Sequence, residues 1–437
     1  MTGVEIGAAA TFVLILLIGA GMPIGLAMIG ISFGAVTLIR SEGVAMRMIG
    51  SVANDSLEEY LFAVVPLFVM MGLLVTVSGV GRDTFDLFER LLRRVRGGLG
   101  IATVFANAIF ASITGISIAS ASVFARVAVP EMTRHGYSRS FSTGVVAGSS
   151  VLGMLIPPSL LMIIYAVLAE ESVGRMFLAG IGPGILLALL FSATVLIMAT
   201  WSRNSVFDRH AEVPDMTPTG LGAMVGKGLP IVALVTLVLG GLYGGFLNPT
   251  EAGAVGALGA LVIAFLRRSL DPGNLWSLLV ETGQVTVSVL FLIVSATFFS
   301  RMLAMSGLPT ALAEALLGGG IGPYGFLMIF LALVILMGCL VDSISIMLIL
   351  LPIALPVARE AGFDLIWFGV LTVIAVEIGL LTPPFGLSVF TIKSALDDKA
   401  LRVGEIFRGS VPFVVAMVVS LAIIVAFPGI AVWLARL

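Results

Sequence analysis

The sequence predicts an all-α polytopic membrane protein built from two inverted repeats, each with a re-entrant helical hairpin and a proline-broken helix. Three observations carry the prediction. Apolar residues make up 59% of the 437-residue chain and charged residues 11%, against about 45–50% and about 25% in soluble domains. Two long apolar stretches carry a Ser/Gly- or Asp-containing break mid-run, and two others are interrupted by a double proline. The second half of the chain also repeats the first at a fixed offset.

The composition excludes a soluble enzyme, a secreted disulfide scaffold and a disordered chain. With 23 basic and 25 acidic residues, the chain has no basic tract suited to nucleic acid or to a polybasic lipid anchor. Cys339 is the single cysteine, so neither an intramolecular disulfide nor a cysteine-based metal centre is possible. The two histidines, His135 and His210, lie in polar loops, which leaves no HExxH helix and no buried histidine relay. The first apolar run is preceded by Glu5 and no basic residue, so it is expected to remain as a membrane helix rather than to act as a cleaved signal.

At about 20 residues per spanning helix, continuous spans are expected near 5–22, 24–39, 60–79, 176–201, 229–247, 249–266, 276–300 and 409–434. One helix over 5–39 would rise about 52 Å at 1.5 Å per residue, well beyond a core of about 30 Å, and Pro23 favours a break. The stretches 99–130 and 321–357 read as hairpins, and 140–169 and 365–396 as proline-broken helices. The longest polar stretch, 202–228, with Asp208, Arg209, His210, Glu212, Pro214, Asp215 and Pro218, divides the chain almost in half. Asn248-Pro249-Thr250-Glu251 reads as a turn and helix start, and the GxxxG spacings Gly240/Gly244 and Gly241/Gly245 as packing positions.

Pro130 and Pro356 are 356 − 130 = 226 residues apart. The same offset relates Pro23 to Pro249, Pro157 to Pro383, Pro158 to Pro384, Gly30 to Gly256, Gly136 to Gly362, Gly153 to Gly379 and Ser117 to Ser343. Random placement of 19 prolines would give fewer than one such proline match, and the two PP dipeptides of the chain are matched to each other. Duplicated halves are a common build for secondary transporters. Counting each hairpin as entering and leaving on one side and each proline-broken stretch as one span, the first half crosses five times, so the repeat is inverted. Placing 82–96 in the cytoplasm, with Arg82, Arg90, Arg93, Arg94 and Arg96, puts 16 Lys and Arg on that side and six on the other, with Arg126 inside the first hairpin and expected to snorkel. Both termini are then outside, as is 301–318.

The first hairpin tip runs Thr114-Gly115-Ile116-Ser117, within a stretch that also holds Ser112, Ser120 and Ser122. Non-helical backbone at membrane depth survives only where protein buries it or it lines a watery cavity. The free N–H groups starting the second arm suit a carboxylate, and the carbonyls ending the first suit a hard cation such as Na⁺. In the second hairpin, Asp342-Ser343-Ile344-Ser345 places an acidic residue at the tip, where it can cap the next helix, ligate a cation, or both. Ile156-Pro157-Pro158-Ser159 and Thr382-Pro383-Pro384-Phe385-Gly386 should each split a span into half-helices with free carbonyls. These four breaks are expected to converge near the midplane. Glu377 lies five residues before the second double proline's Thr382 and can line the same cavity.

Pro130-Glu131-Met132 through Gly136-Tyr137, Gly153 through Ile156-Pro157-Pro158-Ser159 and Tyr165, Asp342-Ser343, Pro352, Pro356, and Glu377-Ile378-Gly379 through Phe385-Gly386 together resemble the large membrane subunit of tripartite ATP-independent periplasmic (TRAP) transporters, the DctM type. The resemblance covers the whole chain. It implies an elevator-type, Na⁺-coupled importer in a bacterial inner membrane that receives a small organic carboxylate anion from a periplasmic binding protein. It also implies a separate small four-helix membrane subunit, no cofactor, and Na⁺ as coupling ion. A transport domain is implied at 97–201 and 319–437 and a scaffold at 1–96 and 202–318. One sodium site falls on Thr114, Gly115, Ser117, Gly153, Pro157 and Ser159, and a second on Asp342, Ser343, Ser345, Thr382, Pro383 and Gly386. The anion falls between them, on Ser117, Ser120, Pro158, Ser343, Pro384 and Glu377. The family's first tip usually has a further hydroxyl where this chain has Ile116.

Three other readings compete. An ion channel subunit would favour pore-lining polar residues along continuous helices rather than paired breaks. A single-component Na⁺/dicarboxylate carrier of similar architecture would need no binding protein. A membrane-embedded enzyme would need a buried His, Cys or metal cluster, for which the sequence offers no material.

Overall fold

Short polar side chains start the helices of this computed structural model, which describes residues 1–92, 94–207, 221–398 and 400–436. Thr2 with Glu5, and Asn248 with Glu251, form reciprocal capping boxes. Ser138, Ser159, Ser172, Asp271 and Asp364 each accept from amides of a first turn, satisfying donors that would otherwise be orphaned in apolar surroundings.

The first half runs α1 (Gly3–Gly19), α2 (Ile24–Ile39), α3 (Glu42–Glu58), α4 (Val64–Val77) and α5 (Val80–Leu92). A hairpin of α6 (Gly98–Thr114) and α7 (Ser117–Arg134) follows, then a broken helix of α8 (Arg139–Ser150), α9 (Leu152–Leu155) and α10 (Leu160–Ala169). The half closes with α11 (Val173–Trp201) and the short α12 (Arg203–Val206). In the second half, α13 (Leu221–Val235) passes through a π-helical turn into α14 (Gly241–Tyr243), before α15 (Pro249–Leu266), α16 (Pro272–Ser306) and α17 (Leu308–Ala313), which a π-helical turn extends to Gly318. The second hairpin is α18 (Gly322–Gly338) and α19 (Ser343–Glu360), the second broken helix α20 (Leu365–Leu380) and α21 (Leu387–Leu396), and the chain ends with α22 (Val403–Ala426) and α23 (Gly429–Val432).

The 226-residue offset holds element by element. It carries α2 onto α15, α5 onto α17 with its extension, the first hairpin onto the second, α8 to α10 onto α20 and α21, and α11 onto α22. In one place the halves differ in kind: α3 and α4 are separate helices, and both map onto the single 35-residue α16.

Both hairpin breaks, both double-proline breaks and the break at Pro23 fall where the sequence places them. Among the described residues, seven helices are long and apolar enough to cross a membrane, or up to nine if each bent pair counts as one span. At 17 and 16 residues, α1 and α2 are at the short limit for spanning. The helices that apolar runs do not reveal are α3, α5 and α17. The connection expected over 301–318 is the end of α16 followed by α17, which turns by 119° into the second hairpin; α5 leaves α4 at 64°. The GxxxG glycines also differ from expectation: Gly241 and Gly244 face Leu247 and Phe246 of the turn that follows, so they close their own helix end rather than seat another helix. Asp208 to Pro218 of the polar stretch, with Arg93 and Lys399, lie outside the described residues.

The broken helices form the centre. Residues 141–150 of α8 and 366–380 of α20 are buried throughout. The halves interlock where α8 crosses α22: a Cβ on Gly144 would sit 2.1 Å from the Gly409 carbonyl oxygen, and one on Gly409 1.9 Å from that of Ser140. No side chain fits there, and the two backbones meet through these glycines, the small-residue contact that membrane helices use in place of a hydrophobic drive.

Candidate functional site

Each hairpin tip is hydrogen-bonded to the proline break of its own repeat. At the first, α6 ends on Gly115 in the left-handed region (φ 66°), and the Gly115 carbonyl accepts from Leu160 N at 3.3 Å, just past Pro157-Pro158. A Cβ at Gly115 would lie 2.5 Å from the Pro158 carbonyl oxygen, and one at Gly153 3.3 Å from Ser117 N. Glycine is required at 115 by conformation and by space together. At the second tip, the Cys339 carbonyl accepts from Phe385 N at 3.2 Å. Just behind it α18 and α20 cross with Gly338 against Gly379, a Cβ on the latter falling 2.5 Å from the Gly338 Cα. Both prolyl–prolyl bonds are cis. Among the described residues, no backbone N–H is bonded to the carbonyls of Pro157, Pro158, Pro383 or Pro384, which leaves those oxygens for another partner.

The tips differ in chemistry. Asp342 is the N-cap of α19: Oδ1 accepts from Ile344 N and Ser345 N, both at 3.1 Å, and Oδ2 from the Ser345 hydroxyl. Its counterpart by the offset is Ile116, the N-cap of α7, with no side-chain hydrogen bond to give. The first tip takes its carboxylate from the other repeat, Ser117 Oγ donating to Glu377 Oε1 of α20 at 3.4 Å. The first site is closed, with Thr114, Gly115, Ser117, Gly153, Pro157, Pro158 and Ser159 all buried. The second is partly open: Pro383 and Pro384 are exposed and Phe385 is 56% exposed.

Several expected ligands have their hydroxyl protons committed locally. Thr114 Oγ1 donates to the Phe110 carbonyl and Thr382 Oγ1 to that of Ile378. Ser159 Oγ donates to the Met154 carbonyl, one that the double proline deprives of an amide partner. Ser120 points between the hairpin arms, donating to Asn107 Oδ1. Gly386, in the left-handed region (φ 57°), begins α21 against Phe407. Ser343 is buried at the start of α19. Arg126 is exposed on α7.

Asn107 was missed by the sequence reading. Fully buried, it accepts from Ser120 across the hairpin and donates from Nδ2 to Ser149 Oγ of α8 at 2.8 Å. The signal was available: it is the one amide side chain in the apolar run 99–114.

Paired hairpins and broken helices, bonded tip to break around a buried centre, define a polytopic membrane protein of transporter architecture. Residues 11–430 match the family described as "Tripartite ATP-independent periplasmic transporter, DctM component", and the chain belongs to that family: it is a transporter permease, not an enzyme. It is 33% identical over 401 residues, 91% of each chain, to the C4-dicarboxylate TRAP transporter large permease protein DctM of Pseudomonas aeruginosa. It is 28% identical to the isethionate TRAP transporter permease protein DctMQ of Oleidesulfovibrio alaskensis, matching 95% of this chain and 64% of that longer one. In fold it resembles the Alcanivorax borkumensis YdaH transporter, whose crystal structure is described as having an unusual topology, with a TM-score of 0.61 at 15% identity over 89% of this chain and 87% of that one.

Proposed function

We propose that the protein is the large permease subunit of a Na⁺-coupled, binding-protein-dependent secondary transporter that imports a small organic carboxylate anion by an elevator movement. The observation that carries this reading is the paired bonding of tips to breaks, Gly115 O to Leu160 N and Cys339 O to Phe385 N. Each pair gathers freed carbonyls beside a helix N-terminus, so a cation and an anion can be held side by side. One Na⁺ binds among Thr114, Gly115, Ser117, Gly153, Pro157 and Ser159, and a second among Asp342, Ser343, Ser345, Thr382, Pro383 and Gly386. The anion lies between them, near Ser117, Ser120, Pro158, Ser343, Pro384 and Glu377, and Na⁺ offsets its charge. Residues 97–201 and 319–437 move against a scaffold of 1–96 and 202–318.

A small four-helix subunit and a periplasmic binding protein complete the system in a bacterial inner membrane. The family supports both partners, and the names of the two relatives, one a C4-dicarboxylate and one an isethionate transporter, support a small organic anion. Reconstitution with both partners in proteoliposomes, assayed with a panel of organic acids, tests the reading. Uptake should follow an inward Na⁺ gradient without ATP, and unchanged uptake when K⁺ replaces Na⁺ would sink it. Orientation is tested separately in a Cys339→Ser background. Arg90→Cys on α5 should resist an impermeant thiol reagent applied to intact cells and Glu314→Cys, beside α17, should react; the opposite pattern overturns the topology.

A further inference from the structure

The last turn of α7 carries Glu131, and His135 caps the same helix four residues on, so the two side chains share one face. His135 Nδ1 lies 3.4 Å from Glu131 Oε1 and 2.9 Å from the Glu131 carbonyl oxygen. Glu89 of α5, which packs against α7, completes a cluster whose ligand atoms all lie within 4.8 Å of one another. Among the described residues, no other three His, Cys, Asp or Glu side chains meet this closely. Glu89 is only 8% exposed, and among the described residues it has neither a hydrogen bond nor a salt bridge. Arg134 pairs with the other oxygen of Glu131, Oε2, at 3.4 Å, while Lys227 and Arg267 pair with Asp83 and Asp86 earlier on α5. Glu131 follows Ser117 by 131 − 117 = 14 helical residues, about 21 Å at 1.5 Å each, so the cluster is separate from the proposed sodium sites.

Two carboxylates this close repel each other, and burying one without a partner adds the loss of its hydration. A cation between them answers both. The donors narrow its chemistry: one imidazole nitrogen with two carboxylate oxygens and no thiolate suits a zinc-type transition metal, whereas Mg²⁺ and Ca²⁺ prefer oxygen alone. Tetrahedral bonds of about 2.0–2.2 Å set ligand atoms about 3.4 Å apart, the separation already found between His135 and Glu131. Glu89 completes that geometry by moving about 1 Å inward. The negative end of the α7 dipole favours a cation in the same place. The Glu131 side chain, 27% exposed, leaves an entry path and room for a water in the fourth position. We propose that Glu89, Glu131 and His135 bind a zinc-type divalent cation, which ties α5 to the end of the first hairpin. Each group gives the ion one lone pair, and any proton it carries leaves to solvent. The second repeat has no such site, because the offset carries the three residues onto Ala315, Val357 and Ala361.

Calorimetric titration of the purified full-length protein, free of any polyhistidine tag, with ZnCl₂ in KCl tests this without substrate or partner. The wild type should bind one ion per chain. Losing an outer-shell partner alone costs metal sites about 10–100-fold in affinity, so Glu89→Gln and His135→Ala, which remove ligands, should each weaken binding about 100-fold. Unchanged affinity in Glu89→Gln overturns the proposal. So does binding that His135→Ala spares and that substitution of the chain's other histidine, His210→Ala, abolishes. Displacement of Zn²⁺ by excess Mg²⁺ shows an adventitious ion only and overturns it too. X-ray absorption at the zinc edge of the wild type decides the matter should the variants fail to fold. One imidazole nitrogen with oxygen neighbours supports the site, whereas a sulfur neighbour or a shell of oxygen alone overturns it. The tie between helices has its own reading. Zn²⁺ should raise the unfolding temperature of the wild type and leave that of Glu89→Gln unchanged, and an equal rise in both overturns it. Failure of Na⁺-driven uptake would leave all of these readings unchanged, so the two proposals fail separately.

Discussion

The two hairpin tips share a backbone plan and divide its chemistry unequally. Each lies against a double-proline break and bonds to it through one amide. Yet the first tip is buried and has Ile116 at its cap, while the second is partly open and has Asp342. Both carboxylates near the tips belong to the second repeat: Asp342 serves its own hairpin, and Glu377 reaches across to Ser117 of the other. Duplication therefore preserved how the backbone approaches the site and not where the charge sits. A cation at the second tip would have an anionic neighbour within its own hairpin, whereas one at the first would depend on neutral oxygens and on a carboxyl from the opposite repeat.

The largest expected effect comes from giving the first tip the residue that the second has at the same register, where Gly115 corresponds to Val341. Gly115→Val puts a β-branched residue in the left-handed region, at about 1–2 kcal/mol, with a Cβ 2.5 Å from the Pro158 carbonyl oxygen. Uptake should fall by about 100-fold, the scale of displacing a positioned group by an ångström, while Val341→Ala stays within twofold. Comparable rates for the two variants in proteoliposomes would show the tips to be less different than their geometry implies.

Asp342 gives a smaller effect that separates capping from charge. Asparagine caps about as well as aspartate, so Asp342→Asn should leave thermal unfolding unchanged and raise the half-saturating Na⁺ concentration about tenfold, the loss of one charge-assisted contact. Asp342→Ala should add a loss of about 1 kcal/mol in stability. A wild-type Na⁺ curve for Asp342→Asn reduces Asp342 to a cap.

The backbone plan was largely legible in the sequence. Gly, Pro and Ser punctuate apolar runs strongly, and the 226-residue offset confirms each break with a second copy. What escaped follows from the same logic. Helices α3 and α5 carry charged residues at helical spacing, and α17 is only six residues long, so a search for apolar runs passes over them. Side-chain pairings escaped because they are not local: Ser117 and Glu377 are 260 residues apart and Asn107 and Ser149 are 42 apart. The offset cannot predict them, since it relates equivalent positions within the repeats and these contacts join inequivalent ones.

The smallest effects should come from the two serines that the offset pairs. Ser117→Ala and Ser343→Ala each remove one neutral ligand, worth about 1 kcal/mol or about fivefold in half-saturating Na⁺. They should nevertheless be unequal. Ser117 is fully buried, and its loss also strips Glu377 Oε1 of its partner, whereas Ser343 is 5% exposed at the more open tip. Leaving a buried acceptor unsatisfied costs more than losing the bond alone, so Ser117→Ala should show the larger shift, and high Na⁺ should rescue Ser343→Ala more completely. Na⁺ dependence of uptake, measured for both variants at matched expression, decides the order. If the Ser343 variant shifts more, the open tip holds the tighter site; if both curves match wild type, the hydroxyls are not ligands and the carbonyls beside the double prolines must hold Na⁺ by themselves.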